Sequence, residues 1–246
     1  MNTKMKKVDH AIILAAGVGS RMQPLTDVLP KSLIAVKGDI LIERLIRQLS
    51  EKGIHRIVIV TGYMAEKFKY LEEKFGVTLL YNAEYQARNT WYSLYVAKEY
   101  LQSSYICSAD YYYFRNPFNG FEGRSYYETV APGTEGAVRG VSSNQDGLIV
   151  RTSVPAEDGQ WMMFGHSYFD EEFGQKYRMF LEDTCSKPEK FGYYWEQIYA
   201  EYVGELKLYE KRTDISCLAE LDTPSELEAF DSEWKENNPW AKELIL

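Results

Sequence analysis

Arg21, Lys31, Asp110 and Asp222 are the side chains whose type and placement suit them to chemistry on a phosphate group. Arg21 and Lys31 lie in the segment AIILAAGVGSRMQPLTDVLPKSL, residues 11–33, where an apolar run breaks into Gly17, Gly19 and Ser20. Glycines at such a break allow positive φ and let backbone N–H groups approach an anion closely. Two cations beside them can neutralise phosphate oxygens, so the segment reads as a phosphate-binding loop. Glycines after a strand are by themselves only a turn signal; the cations and the full LAAGxGSRMxPLT…PKSL string are what make the reading specific. Asp110 closes a second apolar run, in SAD, which would project its carboxylate from a strand tip toward that loop. Asp222, in AELDTPSEL, suits either an ordinary helix cap or a cation ligand. Two carboxylates can hold a Mg²⁺ ion whose other positions are taken by phosphate oxygens and water. Nucleotidyl transfer asks a protein for little more: in-line placement of the reactants and neutralisation of the charge growing on the α-phosphate and pyrophosphate.

Two other phosphate loops are excluded. The Walker pattern places Gly-Lys-Ser/Thr at the loop's end, whereas Lys31 follows Gly19 by twelve residues. The dinucleotide fingerprint G-x-G-x-x-G would require glycine at position 22, which is Met22.

The elements that must position these residues alternate. The apolar run at 12–16 fits a buried parallel strand. Asp39 is placed to cap a helix reaching about Lys52, with Ile40, Leu41, Leu45, Ile46 and Leu49 at helical spacing and Gly53 ending it. Residues 56–61, RIVIVT, predict a strand, 65–75 a helix before Gly76, 77–81 a strand, 89–101 a helix and 104–109 a strand ending at Asp110. This order predicts right-handed βαβ units and an α/β fold with a Rossmann-like, mainly parallel sheet. The glycine loop and Asp110 then share the carboxyl edge, where open α/β sheets bind nucleotides. Beyond Asn116 the pattern becomes strand-like at 126–131, 136–142, 147–152 and 161–168, predicting a small antiparallel insertion that walls the second substrate's pocket. Residues 171–183, 193–203 and 224–234 read as helices and 205–211 as extended chain. A single domain is expected, with 1–115 as nucleotide-binding core and 116–246 as acceptor-site insertion and C-terminal elements.

The chain has 246 residues, 45% of them apolar, and a formal net charge of -8. That charge excludes the basic footprint that nucleic acid or an anionic membrane would need, so the nucleotide is expected to be a small one. The polar, lysine-rich stretch 1–10 has no secretion-type apolar segment after it, and no run approaches the roughly eighteen apolar residues of a membrane span. A cytoplasmic protein is expected. Cys107, Cys185 and Cys217 are widely spaced and read as reduced structural thiols, and three histidines make a histidine-based zinc site a poor fit. Composition neither requires nor excludes a homo-oligomer. Most of the 20 tyrosines are expected to be half-buried packing residues, and a minority suit a pocket for a cationic head group.

LAAGVGSRMQPLT, PKSLIAV, IVIVTGYMAEKFKYLEEKFGV, YNAEYQARNTWYSLYVAKEYL, SADYYYF and YYWEQI together make the chain similar, over almost its whole length, to the bacterial CTP:phosphocholine cytidylyltransferases. The resemblance implies the nucleotide-diphospho-sugar transferase type of fold, CTP as donor and a small zwitterionic phosphate or phosphonate as acceptor. It also implies Mg²⁺ held jointly by Asp110 and Asp222, Lys31 on the triphosphate and Arg21 on the leaving pyrophosphate. Ala15, Ala16 and Gly17 would meet the base and ribose through backbone groups, with Gly19 and Ser20 in the same loop. Tyr81, Asn82 and Asn89 are weaker candidates around the base, each equally suited to turn or cap duty. Tyr194 and Trp195, with Glu196, would form part of an aromatic and acidic cage for the acceptor's ammonium.

One departure from the family pattern bears on the acceptor. A cage tryptophan of the family's insertion strands falls near Glu135 and Gly136, and the chain's own ring, Trp161, comes later. Loss of that ring weakens the case for a trimethylammonium and favours a primary amine read by a carboxylate such as Glu135. Phosphocholine is therefore the first expectation and 2-aminoethylphosphonate the alternative. A sugar 1-phosphate acceptor and a nucleotide-binding module without turnover are the remaining readings.

Overall fold

The computed structural model describes residues 4–238 and 240. The first three residues of the polar amino-terminal stretch thus lie outside the described residues. Eleven strands position the site: β1 (His10–Ala15), β2 (Ile57–Thr61), β3 (Thr78–Tyr81), β4 (Ser104–Ser108), β5 (Tyr111–Tyr113), β6 (Tyr126–Val130), β7 (Gly140–Ser143), β8 (Ile149–Ser153), β9 (Trp161–Phe169), β10 (Tyr209–Arg212) and β11 (Leu218–Glu220). Six helices accompany them: α1 (Leu41–Glu51), α2 (Tyr70–Phe75), α3 (Thr90–Val96), α4 (Glu171–Thr184), α5 (Trp195–Glu201) and α6 (Pro224–Phe230).

A nine-stranded sheet runs in the order β8-β7-β9-β4-β1-β2-β3, with β6 added on β9 and β10 on β6. Strands β4, β1, β2 and β3 are mutually parallel, as the βαβ alternation requires. The expected antiparallel strands do form, and β9 pairs directly with β4, so they extend the parallel sheet. Among them only β10 runs parallel to its neighbour, β6. A separate two-stranded ribbon pairs β5 with β11 and sets Tyr111 opposite Glu220.

Alternation along β1 divides the core. Ala11 and Ile13 face the layer holding Ile42, Leu45, Ile46 and Leu49 of α1, while Ile12 faces Trp91 and Leu94 of α3 and the α4–α5 pair beyond them. A third cluster joins Met22, Leu25 and Ile34, which follow the glycine loop, to Tyr112 of β5, to Leu221 just after β11 and to Leu227 of α6. Burying apolar side chains of this size stabilises by about 1.5–3 kcal/mol each. That cluster is what carries the carboxy-terminal Asp222 to the amino-terminal loop.

Several local expectations change. Asp39 does not cap α1, whose N-cap is Ile40 with no side-chain bond. Asp39 instead accepts from Arg44 Nη1 at 3.2 Å and Arg47 Nη2 at 2.7 Å, because it lies one residue outside the cap in a short strand. The helix expected over 65–75 divides into a 3-10 turn, Ala65–Phe68, and α2, and that expected over 89–101 into α3 and a 3-10 turn, Lys98–Tyr100. Among the described residues no helix is long and apolar enough to cross a membrane. All three cysteines are unpaired.

Candidate active site

The glycine loop begins where β1 leaves the sheet. Gly19 sits at φ +68°, and a β-carbon there would lie 3.1 Å from Thr26 Cγ2 and 3.3 Å from the Lys31 Cβ, so only glycine fits without strain. Thr26 Oγ1 donates to Gly19 O at 3.0 Å, and Tyr63 N donates to Ala16 O at 3.1 Å, which fixes both limbs of the loop. Nothing would crowd a β-carbon at Gly17, which faces open space. Two clefts flank the loop and share Leu14, Gly17 and Asp110.

The first cleft gathers Ala15, Gly17, Gly19, Ser20, Arg21, Lys31, Asp110, Asp222 and Tyr194. Lys31 Nζ lies 3.0 Å from Asp110 Oδ2 and 2.5 Å from Asp222 Oδ1, and Arg21 Nη2 lies 2.7 Å from Asp222 Oδ2. Burial alone would lower the Lys31 ammonium, but Asp110 and Asp222 outweigh it and hold the group above the ordinary lysine range. Asp222 therefore does not cap α6. That role belongs to Thr223, whose hydroxyl accepts from Glu226 N at 3.2 Å in a capping box.

Sequence reasoning missed Glu220. Carboxylate oxygens of Asp110, Glu220 and Asp222 all lie within 4.8 Å of one another. The Glu220 carboxyl is pushed up to about 8, first by burial and then by repulsion from Asp110 and Asp222, with Lys31 and Arg21 opposing. A signal was present: Glu220 and Asp222 are two residues apart in extended chain and so share a face. Asp110 Oδ1 is buried without a hydrogen-bond partner. Three convergent oxygen donors with one orphaned oxygen suit a hard divalent cation such as Mg²⁺.

The second cleft holds Ala16, Asn82 and Asn89 and five residues not singled out from the sequence, Tyr85, Arg88, Thr90, Ser93 and Ser108. Asn82 is buried and ties Ser93 Oγ at 3.1 Å to Glu84 N at 2.9 Å. Asn89 caps α3 by accepting from Thr90 N at 2.7 Å. Tyr81 is 60% exposed and lines neither cleft.

The remaining acceptor residues separate. Tyr194 is 53% exposed and lines the first cleft, whereas Trp195 is buried, stacked on Tyr127 at 5.4 Å. Glu196 accepts from the Tyr127 hydroxyl at 3.0 Å, and burial pushes its carboxyl above the usual range. Trp161 lies in the sheet opposite Val141, with the Arg212 guanidinium 4.4 Å over its ring, so its face meets a resident cation and not the cleft. Glu135 is exposed and lines neither cleft, although a β-carbon at the neighbouring Gly136 would lie 3.8 Å from Glu220 Oε2.

Residues 10–121 match the nucleotidyl transferase family. The chain is 34% identical over 234 residues to choline-phosphate cytidylyltransferase of Streptococcus pneumoniae, covering 93% of this chain and 99% of that one. The chain belongs to the nucleotidyl transferase family, among its cytidylyltransferases. This nucleotidyltransferase is also 32% identical over 240 residues to 2-aminoethylphosphonate cytidylyltransferase of Lancefieldella rimae, covering 90% of its own length and 92% of the relative. A solved structure of CTP:phosphocholine cytidylyltransferase from S. pneumoniae superposes on the enzyme with a TM-score of 0.86, at 33% identity, over 92% of this chain and 99% of the other. The structure of an inositol-1-phosphate CTP transferase from T. maritima, at 17% identity and a TM-score of 0.73, shares the fold.

Proposed function

We propose that this enzyme transfers CMP from CTP to phosphocholine, releasing pyrophosphate and CDP-choline. The observation that carries the reading is the facing of two cations, Arg21 and Lys31, and three carboxylates, Asp110, Glu220 and Asp222, across the glycine loop. The cytidylyltransferases that match over nearly their whole length support CTP as donor and a zwitterionic acceptor.

Lys31 and Arg21 bind and orient the triphosphate, exchanging their carboxylate partners for phosphate oxygens. Gly17 and Gly19 let the loop's backbone approach it. An oxygen of the acceptor phosphate forms a bond to the α-phosphorus as the bond from that phosphorus to the bridging oxygen breaks, and the electron pair leaves with pyrophosphate. With a second pKa of about 6 the acceptor phosphate is already largely ionised at neutral pH, so no general base is required. Asp110, Glu220 and Asp222 would hold Mg²⁺, which when bound neutralises charge on the phosphate oxygens. Tyr194 stands at the mouth of the same cleft and presents an aromatic face to the acceptor's ammonium.

One observation favours a second reading, 2-aminoethylphosphonate as acceptor. Trp195 is packed in the core and Trp161 is covered by Arg212, so of the tryptophan and tyrosine rings expected at the cage only Tyr194 lines the cleft. A primary ammonium needs carboxylates more than rings. Pyrophosphate release measured with CTP and Mg²⁺ against phosphocholine, phosphoethanolamine and 2-aminoethylphosphonate decides between them. Preference for phosphocholine supports the first reading, and preference for the phosphonate replaces it with the second.

A further inference from the structure

Away from the clefts, β9 carries a bulge with a charged side chain inside it. Along the β6–β9 pair, Tyr127 faces Ser167 and Thr129 faces Met163, so Glu128 alone stands opposite Phe164, Gly165 and His166. The Glu128 side chain fills the bulge. Its Oε2 accepts from His166 N at 3.3 Å and lies 2.7 Å from His166 Nδ1, and its Oε1 accepts from Thr213 Oγ1 at 3.1 Å. Gly165 adopts φ +103°, and a β-carbon there would lie 2.4 Å from Glu128 Oε2, so carboxylate and glycine occupy complementary space.

Both partners of the pair are almost wholly buried. His166 is held among the rings of Phe118, Tyr105, Tyr126 and Tyr113, at centroid distances of 4.8, 5.3, 5.7 and 5.8 Å. Its Nε2 lies 3.1 Å from the Tyr126 hydroxyl, which also accepts from Lys211 Nζ at 2.9 Å. Burial would raise the Glu128 carboxyl, yet His166 and Lys211 outweigh it and hold the group below the usual range. Removing one member of such a pair leaves an uncompensated buried group.

The bulge touches both strands of the ribbon that carries the site's carboxylates. Phe164 packs edge-on against Tyr111 of β5 with ring centroids 5.0 Å apart, and the place of a β-carbon on Gly165 is 3.2 Å from Leu218 Cδ1 of β11. Asp110 immediately precedes Tyr111, Tyr111 is the register partner of Glu220, and Asp222 follows two residues on. Bulges re-aim side chains next to functional sites. We propose that Glu128 and His166 are positioning residues that brace this bulge, seating Phe164 and Gly165 against the ribbon and so setting the spacing of Asp110, Glu220 and Asp222.

The inference rests on the metal-binding role given above to those three carboxylates, and its test separates the two. Mn²⁺ binding to the full chain, followed by the electron paramagnetic resonance of free Mn²⁺, is compared for the wild type, Glu128→Gln and Phe164→Leu, together with kcat and the KM for CTP. Glu128→Gln keeps the shape and removes the charge; Phe164→Leu leaves the buried pair intact and removes the ring that transmits it. Expected for both are Mn²⁺ affinity and kcat lower by about 10-fold or more, with the KM for CTP within about twofold, as for outer-sphere partners of metal sites. A purely structural role would lower the melting temperature and leave Mn²⁺ affinity of the folded protein unchanged. Wild-type Mn²⁺ binding and turnover in both variants overturn the positioning inference alone. A wild type that binds no Mn²⁺ overturns the metal reading beneath it, and if Glu128→Gln does not fold, Phe164→Leu decides by itself.

Discussion

The Lys31 ammonium lies 2.5 Å from Asp222 Oδ1 across 191 residues of sequence, so the segment that follows the glycine loop and the connection between β11 and α6 meet at a carboxylate that Arg21 also contacts. The pair means that Lys31 answers to carboxylates and phosphates alike. Lys31→Met should lower kcat/KM for CTP by about 10²-fold or more, the scale of losing one preorganised charge-stabilising group. It should also lower the melting temperature without Mg²⁺ more than with it, because Asp110 and Asp222 lose their shared cation. An undiminished kcat/KM would remove Lys31 from the triphosphate site.

Asp110 has one oxygen on Lys31 and the other buried without a partner. Asp110→Ala should abolish turnover while leaving the far-ultraviolet circular dichroism unchanged. Wild-type activity in that variant would sink the metal assignment.

The Glu220 carboxyl, pushed up to about 8, sets a pH dependence. An unfolded glutamate titrates near 4.5, so between these values the folded protein keeps a proton that the unfolded chain releases. The stabilisation this gives is fully present below about 4.5 and is lost as pH rises through about 8. Above that pH, Glu220 stands ionised beside Asp110 and Asp222, and a divalent cation relieves the repulsion. The rise in melting temperature on adding Mg²⁺ should therefore be larger near pH 9 than near pH 6, and Glu220→Gln should level the two. Equal rises in the wild type would show that Glu220 is already charged at the lower pH.

Tyr194 and Trp195 are adjacent, yet one faces the cleft and the other the core. Tyr194→Ala should raise the acceptor's KM roughly 3- to 30-fold with little change in melting temperature, as expected for losing a cation–π partner. Trp195→Ala should instead cost about 3–5 kcal/mol of stability, read from denaturant unfolding. Unchanged acceptor kinetics in the first variant would move the ammonium site away from Tyr194.

What the sequence determined by itself was everything that local pattern and chain order control. The apolar run into Gly17 and Gly19, the strand–helix alternation and the run ending at Asp110 specified a parallel sheet with a glycine loop and a carboxylate at one edge, because side-chain periodicity and right-handed crossovers leave few other arrangements. The motif also brought the family into view. Tertiary structure decided which way neighbouring residues face and which distant segments meet. Tyr194 and Trp195 differ by where α5 begins, Trp161 is claimed by Arg212 from another strand, and Asp222 reaches Lys31 because Met22, Leu25 and Ile34 pack against Leu221 and Leu227. Glu220 joins the carboxylates through the β5–β11 register, and Glu128 enters the bulge of β9, through pairings between strands far apart in sequence. Such contacts depend on burial and register between remote segments, which no periodicity within either segment encodes.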